Sequence, residues 1–247
     1  MNDLLQFDPA AAPPPEPLAV RLYPDPVLRR KSAPVTAFDA ALAELARRMA
    51  ATMLADEGAG LAANQIGRAI RLLVILERPE AEAPKEEEDE APEAPSPLPP
   101  GEGQSEIAST EPEGPSPQPS PEGGGIPPPP PPPPPPRVRV LVLVNPELVA
   151  AEGRQEDEER CLSFPPREFR ARIRRALSVR VRYQDLEGQG GELAAEGFLA
   201  RVLQHELDHL EGILFVDRAS AVKRFTLRKH LKEMEADFRR ASAPRGA

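Results

Sequence analysis

The sequence predicts an α+β domain. Mixed or antiparallel β-sheets pack around a central helix carrying an H-E-x-x-H motif, and a further helix lies at the C-terminus. Three observations carry that expectation. "FLARVLQHELDHLEGILF", residues 198–215, places Val202, Leu203, Leu207 and Leu210 around a helix that is apolar on several sides and so belongs inside. "AIRLLVIL" and "RVRVLVLVNPEL" are apolar, β-branched runs of strand type. "VRVRY" alternates arginine with apolar residues, as a strand with one solvated face does.

Taken in order, residues 1–17 are Ala/Pro-rich and read as a flexible tail. "LAVRLYPDPVLRRKSAPV" follows as a short strand that Pro24 and Pro26 break into a turn. "TAFDAALAELARRMAATMLAD" is a helix. Thr36 and Asp39 give it a capping-box-like start, and Phe38, Leu42, Leu45, Met49 and Met53 share one face. The glycine-bearing loop "DEGAGLAANQIG" leads into the first apolar strand.

Between Glu77 and Pro136 stand 14 acidic and 2 basic residues and 22 of the chain's 34 prolines, the last ten consecutive. Such a segment cannot bury enough apolar surface to offset its ordering entropy. It reads as a disordered insert in a surface loop between two strands, with the proline run a stiff polyproline II rod. Its net charge is −12 (2 − 14), so the rest of a chain of net charge −9 carries about +3 (−9 + 12) and is mildly basic. The histidine helix ends near Gly212, a suitable C-terminal cap. A last helix, roughly 219–240, carries Lys223, Arg224, Arg228, Lys229, Lys232, Arg239 and Arg240, and 241–247 is a second tail. Residues 18–240 are expected to form a single catalytic domain that the 77–136 insert interrupts.

Cys161 is the one cysteine, so no intrachain disulfide forms and a reducing compartment suits the chain. The first residues lack a basic stretch followed by an apolar run, and no window approaches the roughly 18 apolar residues of a membrane span. A cytoplasmic protein with no membrane partner is expected.

In H-E-x-x-H the two histidines, His205 and His209, are four residues apart, so a helix presents both rings on one face to one metal ion. Glu206 follows the first ligand and can act as a general base on a water beside the metal. A surface helix that happens to hold two histidines is the bland alternative, which the apolar flanks disfavour. An open metal site needs a third protein ligand. The third histidine, His230, lies among Lys and Arg of the last helix and reads as a solvated surface residue. Cys161 is then the remaining soft ligand. A lone cysteine is more often a small buried hydrophobe, but beside a two-histidine helix the ligand role gains weight. A thiolate with two imidazoles suits zinc or ferrous iron. In "GAGLAANQ", Gly58 and Gly60 serve a tight turn or let a substrate backbone approach, and the Gln65 amide can hold an oxyanion. Two other classes stay open at this point: a general H-E-x-x-H metallopeptidase, and a binding protein whose proline-rich insert engages aromatic grooves of the SH3 or WW kind.

"GAGLAANQ", "ERCLS" and "HELDH", in this order, resemble the three signature motifs of the bacterial peptide deformylase family, G-x-G-L-A-A-x-Q, E-G-C-L-S and H-E-x-D-H, and "YPDPVLR" is similar to that family's opening. Two of the three motifs match at every fixed position. Arg160 departs from the family's usual glycine, and the insert is no part of the pattern. The resemblance implies hydrolysis of the N-formyl group from the formylmethionine of new polypeptides. It implies Cys161, His205 and His209 as metal ligands, Glu206 as acid/base, and Gln65 with the Leu162 N–H as oxyanion donors. Gly58 and Gly60 become partners of the substrate backbone, and Glu159 and Asp208 orient ligands. Val202, on the same helix face as His205, is expected to line the methionine side-chain pocket. The implied metal is Fe2+, with Zn2+, Ni2+ or Co2+ as substitutes. The implied partners are N-formylmethionyl nascent peptides and, through the basic C-terminal helix, the ribosome, with the chain a monomer.

Overall fold

The computed structural model describes residues 4–7, 16–77, 138–165 and 169–242. The 77–136 insert beyond Glu77, the C-terminal tail beyond 242 and most of the N-terminal tail lie outside the described residues.

The sheet is built on the two apolar runs. Strand β3 (Leu72–Glu77) pairs antiparallel with β4 (Val138–Glu152), in register from Leu72↔Val144 to Glu77↔Arg139. Strand β2 (Gly60–Ala62) flanks β3, while β7 (Ser178–Gln184) and then β8 (Gly190–Glu196) extend the sheet beyond β4. Leu4–Phe7, within the segment expected to be a flexible tail, forms a strand, β1, antiparallel to Val138–Leu141. β7 pairs with β4 only from Val144 onward, so β1 covers an edge that would otherwise be open.

β4 changes partners at Asn145–Pro146. Asn145 has φ 49°, and the register shifts between Val144 and Glu147. Pro146 offers no N–H to the ladder, which makes it a natural bulge position. The Asn145 side chain fastens the bulge by accepting from Val35 N–H (2.8 Å) and donating to Val35 O (2.9 Å) and Gln184 Oε1 (2.8 Å).

The runs are apolar on successive residues because both faces of these strands are buried. On one face Leu72, Val74, Val140, Val142 and Val144 meet α1 (Ala40–Ala55) through Leu42, Met49 and Met53. Met49 and Met53 are fully buried, and each such side chain contributes about 1.5–3 kcal/mol. Phe38 and Leu45 complete the stripe at its edge. Asp39 alone caps this helix, its carboxylate accepting from Leu42 N–H at 3.0 Å, so the expected role of Thr36 in the cap is corrected. On the other face Leu73, Ile75, Leu141 and Leu143 meet Ala200, Leu203, Leu207 and Leu210 of α2 (Gly197–Leu210), the histidine helix. Ten of its 14 residues are buried, as the apolar flanks predict. Gly212, at φ 74°, ends it by donating to His209 O at 3.0 Å.

Beyond α2 a third apolar cluster gathers Leu28, Phe164, Phe169, Ile173 and Phe215 beneath the hairpin of β5 (Gln155–Glu159) and β6 (Ala171–Arg175). "QEDEE" is a strand because opposite charges face each other across the pair, Glu156↔Arg174 and Glu158↔Arg172. A short helix, α3 (Phe215–Arg218), precedes α4 (Ala221–Ser242). Leu227, Leu231 and Met234 lay α4 on the aromatic cluster, and Tyr23 donates its hydroxyl hydrogen to Glu235 Oε1 at 2.7 Å. His230, expected to be solvated, is instead half-buried and stacks on Phe169 at 5.1 Å, because it shares the α4 face of Leu227 and Leu231. The expected strand at Leu18–Leu22 does not form. Its backbone bonds go singly to different neighbours, Arg21 N–H to Gln65 O (2.6 Å) and Tyr23 N–H to Ser163 O (2.9 Å), so no ladder develops.

Candidate active site

Burial brings three soft ligand atoms together. One atom each from Cys161, His205 and His209 lies within 4.8 Å of the others, and all three residues are buried. Cys161 comes from the turn after β5, while the histidines share the face of α2 opposite the sheet. Cys161 Sγ is 3.2 Å from His209 Nε2, and the two imidazole centroids are 5.0 Å apart. The Nδ1 of His205 is bonded to Glu159 Oε2 at 2.9 Å, which leaves its Nε2 for a metal. A thiolate and two imidazoles with an open fourth position fit a tetrahedral divalent cation. Burial alone lowers the His205 pKa, yet the hydrogen bonds to Cys161 and Glu159 prevail and raise it well above the imidazole value, while burial and the charge of His205 hold His209 well below it.

Glu206 is buried beside this cluster, with Oε2 lacking a hydrogen-bond partner among the described residues. Burial pushes its carboxyl up to about 7, opposed first by the charge of His205, which suits a group that must accept and return a proton near neutral pH. Gly60 makes room for it: a Cβ there would stand 2.5 Å from Glu206 Oε1. Gln65 is fixed at the other side. Its Oε1 accepts from Ala62 N–H at 2.8 Å, so its Nε2 hydrogens turn inward to Cys161 Sγ (3.4 Å) and Ser163 Oγ (3.2 Å). Gln65, Leu162, Gly58, Gly60 and Val202 all line one cavity of about 630 Å³ together with Cys161, His205 and Glu206. Of the candidate catalytic, substrate-binding and metal residues only His209 lies off the cavity, behind its wall on Cys161. Asp208, expected to orient a ligand, instead accepts from Arg175 and Arg218 away from the cavity.

Two residues at the site escape the motif reading. Arg175 reaches Glu159 with Nε and Nη2, both at 2.9 Å, and also donates to Asp208. Arg201 donates Nη1 to Glu159 Oε1 at 2.8 Å and to Ile173 O at 3.0 Å. Burial alone would raise the Glu159 carboxyl, but the bonds from Arg175 and His205 hold it well below the usual carboxylate range. Glu159 thereby stays ionised and fixes the His205 ring. Asp208 also accepts from Arg218 Nε at 2.6 Å, which ties α2 to α3. The signal for Arg175 is present in "ARIRR": on β6, Ala171, Ile173 and Arg175 point inward.

The comparisons agree with this geometry. The model of the family described as polypeptide deformylase matches residues 17–225. A peptide deformylase of Wolinella succinogenes is 35% identical over 218 residues, covering 88% of this chain and 97% of its own length. One of Thermus thermophilus is 38% identical, covering 83% of each chain. Among solved structures, a peptide deformylase from Legionella pneumophila is 31% identical with a TM-score of 0.60, over 92% of this chain and 99% of its own. A peptide deformylase structure from Thermus thermophilus is 33% identical with a TM-score of 0.61, over 89% and 98%. The chain belongs to the polypeptide deformylase family.

Proposed function

We propose that this chain removes the N-formyl group from the formylmethionine of newly made polypeptides and releases formate. The observation that carries the reading is the buried Cys161–His205–His209 cluster beside a Glu206 carboxyl with one unpartnered oxygen. A divalent cation on these ligands, Fe2+ in our reading, supplies Lewis-acid activation of water and carbonyl. The protein's own groups do the rest. Glu206 accepts a proton from the attacking water as the water oxygen adds to the formyl carbon. The Gln65 Nε2–H and the Leu162 N–H donate to the developing oxyanion, and losing one such donor costs about 2.7–4 kcal/mol of barrier. Glu206 then returns the proton to the amine nitrogen as the C–N bond breaks. Gly58 and Gly60 let the peptide backbone approach, and Val202 faces the methionine side chain.

The same reading places the protein in the cytoplasm as a monomer. The exposed basic face of α4 would serve ribosomal RNA phosphate; co-sedimentation with ribosomes that fades as salt rises tests that part. For the chemistry, Glu206→Ala should keep one equivalent of metal while formate release falls at least about 100-fold. Formate release within a few-fold of the parent, with metal bound, contradicts the assignment.

A further inference from the structure

Resting on the reading above, we propose that Arg160 sets the charge preference of this enzyme for the residues that follow formylmethionine. It favours a carboxylate side chain at one of the next two positions.

Arg160 stands between the buried carboxylate Glu159 and the ligand Cys161, and its own side chain is exposed on the cavity wall. Among the described residues two cations of this lining, Arg160 and Arg170, are exposed, and they differ in their partners. Arg170 is held by Glu158 at 3.3 Å. Arg160 makes no ion pair or hydrogen bond among the described residues, so its charge stays available to a ligand. The preceding carboxylates do not reach it: Glu159 is inward on Arg175 and Arg201, and Glu158 is on Arg170. The lining also includes Asp56 and Glu57, after α1, each of which has a partner of its own.

A peptide whose formyl end lies at Glu206 must leave along this lining. An extended chain sends successive side chains to opposite sides. Its second and third residues therefore point to different sides, and only one of them meets Arg160. An acidic residue gains there and gains nothing at the other position. An exposed pair of this kind corresponds to about a two- to five-fold effect, which salt screens.

The test uses metal-loaded protein and matched peptides, formyl-Met-Asp-Ser against formyl-Met-Asn-Ser and formyl-Met-Ala-Asp against formyl-Met-Ala-Asn, with kcat/KM read as Asp/Asn ratios. At low salt one ratio should exceed unity by about two- to five-fold and the other should not. The favoured ratio should approach unity in 0.5 M salt and in Arg160→Gln, and invert in Arg160→Glu. Ratios at both positions that Arg160→Gln and Arg160→Glu leave unchanged overturn the proposal. Binding of the deformylated products Met-Asp-Ser and Met-Asn-Ser, and of Met-Ala-Asp and Met-Ala-Asn, is measured in parallel by calorimetry. Charge discrimination in binding that depends on Arg160, with no formate from any peptide, supports the Arg160 inference and refutes the reaction. Formate without discrimination refutes Arg160 and leaves the reaction standing.

Discussion

Gly60 shows how narrowly the site is built at the scale of one residue. The space a Cβ would take there is occupied by the Glu206 carboxylate. Gly60→Ala should therefore push that carboxylate aside and lower kcat about 100-fold, with the fold intact by circular dichroism. A variant with parental kcat would show that Glu206 need not sit where it does. Most of the site's residues were legible in the sequence because their types are rare or patterned: one cysteine, an H-E-x-x-H pair and a glycine-glutamine loop. Arg175 and Arg201 were not, because arginine is common and usually solvated, and only their inward register on β6 and α2 marks them. At the start of α1 the sequence offers both Thr36 and Asp39, yet Asp39 alone satisfies the Leu42 N–H.

Among the elements, the β5–β6 hairpin and α2 are joined by charge rather than by apolar contact. Arg175 bridges Glu159 of β5 and Asp208 of α2 at sites that are each under one-tenth exposed. Arg175→Met should cost about 3 kcal/mol, because breaking a buried pair strands its carboxylates, although Arg201 and Arg218 still serve Glu159 and Asp208. Urea unfolding of the metal-free protein measures it, and a loss below about 1 kcal/mol would contradict the bridge. This sheet was hidden in the sequence because "QEDEE" has no apolar pattern, and its strand state depends on arginines across the pair.

The seat of α4 has a pH signature. Burial, and then the hydrogen bond to Glu235, push the Tyr23 phenol up to about 12. The folded state thus holds this proton more firmly than the unfolded one. The contribution is complete below about pH 10 and is lost as pH rises from there through 12. The chain has two tyrosines and no tryptophan, so phenolate absorbance reads the titration directly. Tyr23→Phe should remove the late phenolate step and flatten the alkaline loss of stability; identical curves would contradict the contact.

At the scale of the whole molecule, the insert enters and leaves at one hairpin end. β3 and β4 are in register up to Glu77↔Arg139, and Arg139 pairs with Glu77 at 3.1 Å. Replacing residues 79–137 by a two-residue Asn-Gly turn, which keeps the Glu77↔Arg139 register, should therefore leave the melting temperature and formate release close to those of the parent. Lost activity would assign the insert a part in catalysis. The α+β architecture and the central histidine helix were legible because β3 and the first half of β4 are apolar on both faces and α2 sets an apolar face on the sheet behind its histidines. The β1 edge strand was not, since a single short pairing leaves no periodicity in an Ala/Pro-rich stretch. The central claim is that this cavity cuts a formyl C–N bond and no internal peptide bond. Its most direct test is product analysis of formyl-Met-Ala-Ser incubated with anaerobically prepared, metal-loaded protein. Formate and Met-Ala-Ser should appear in equal amounts with no shorter fragment; internal cleavage, or no formate from protein shown to hold its metal, would refute deformylation.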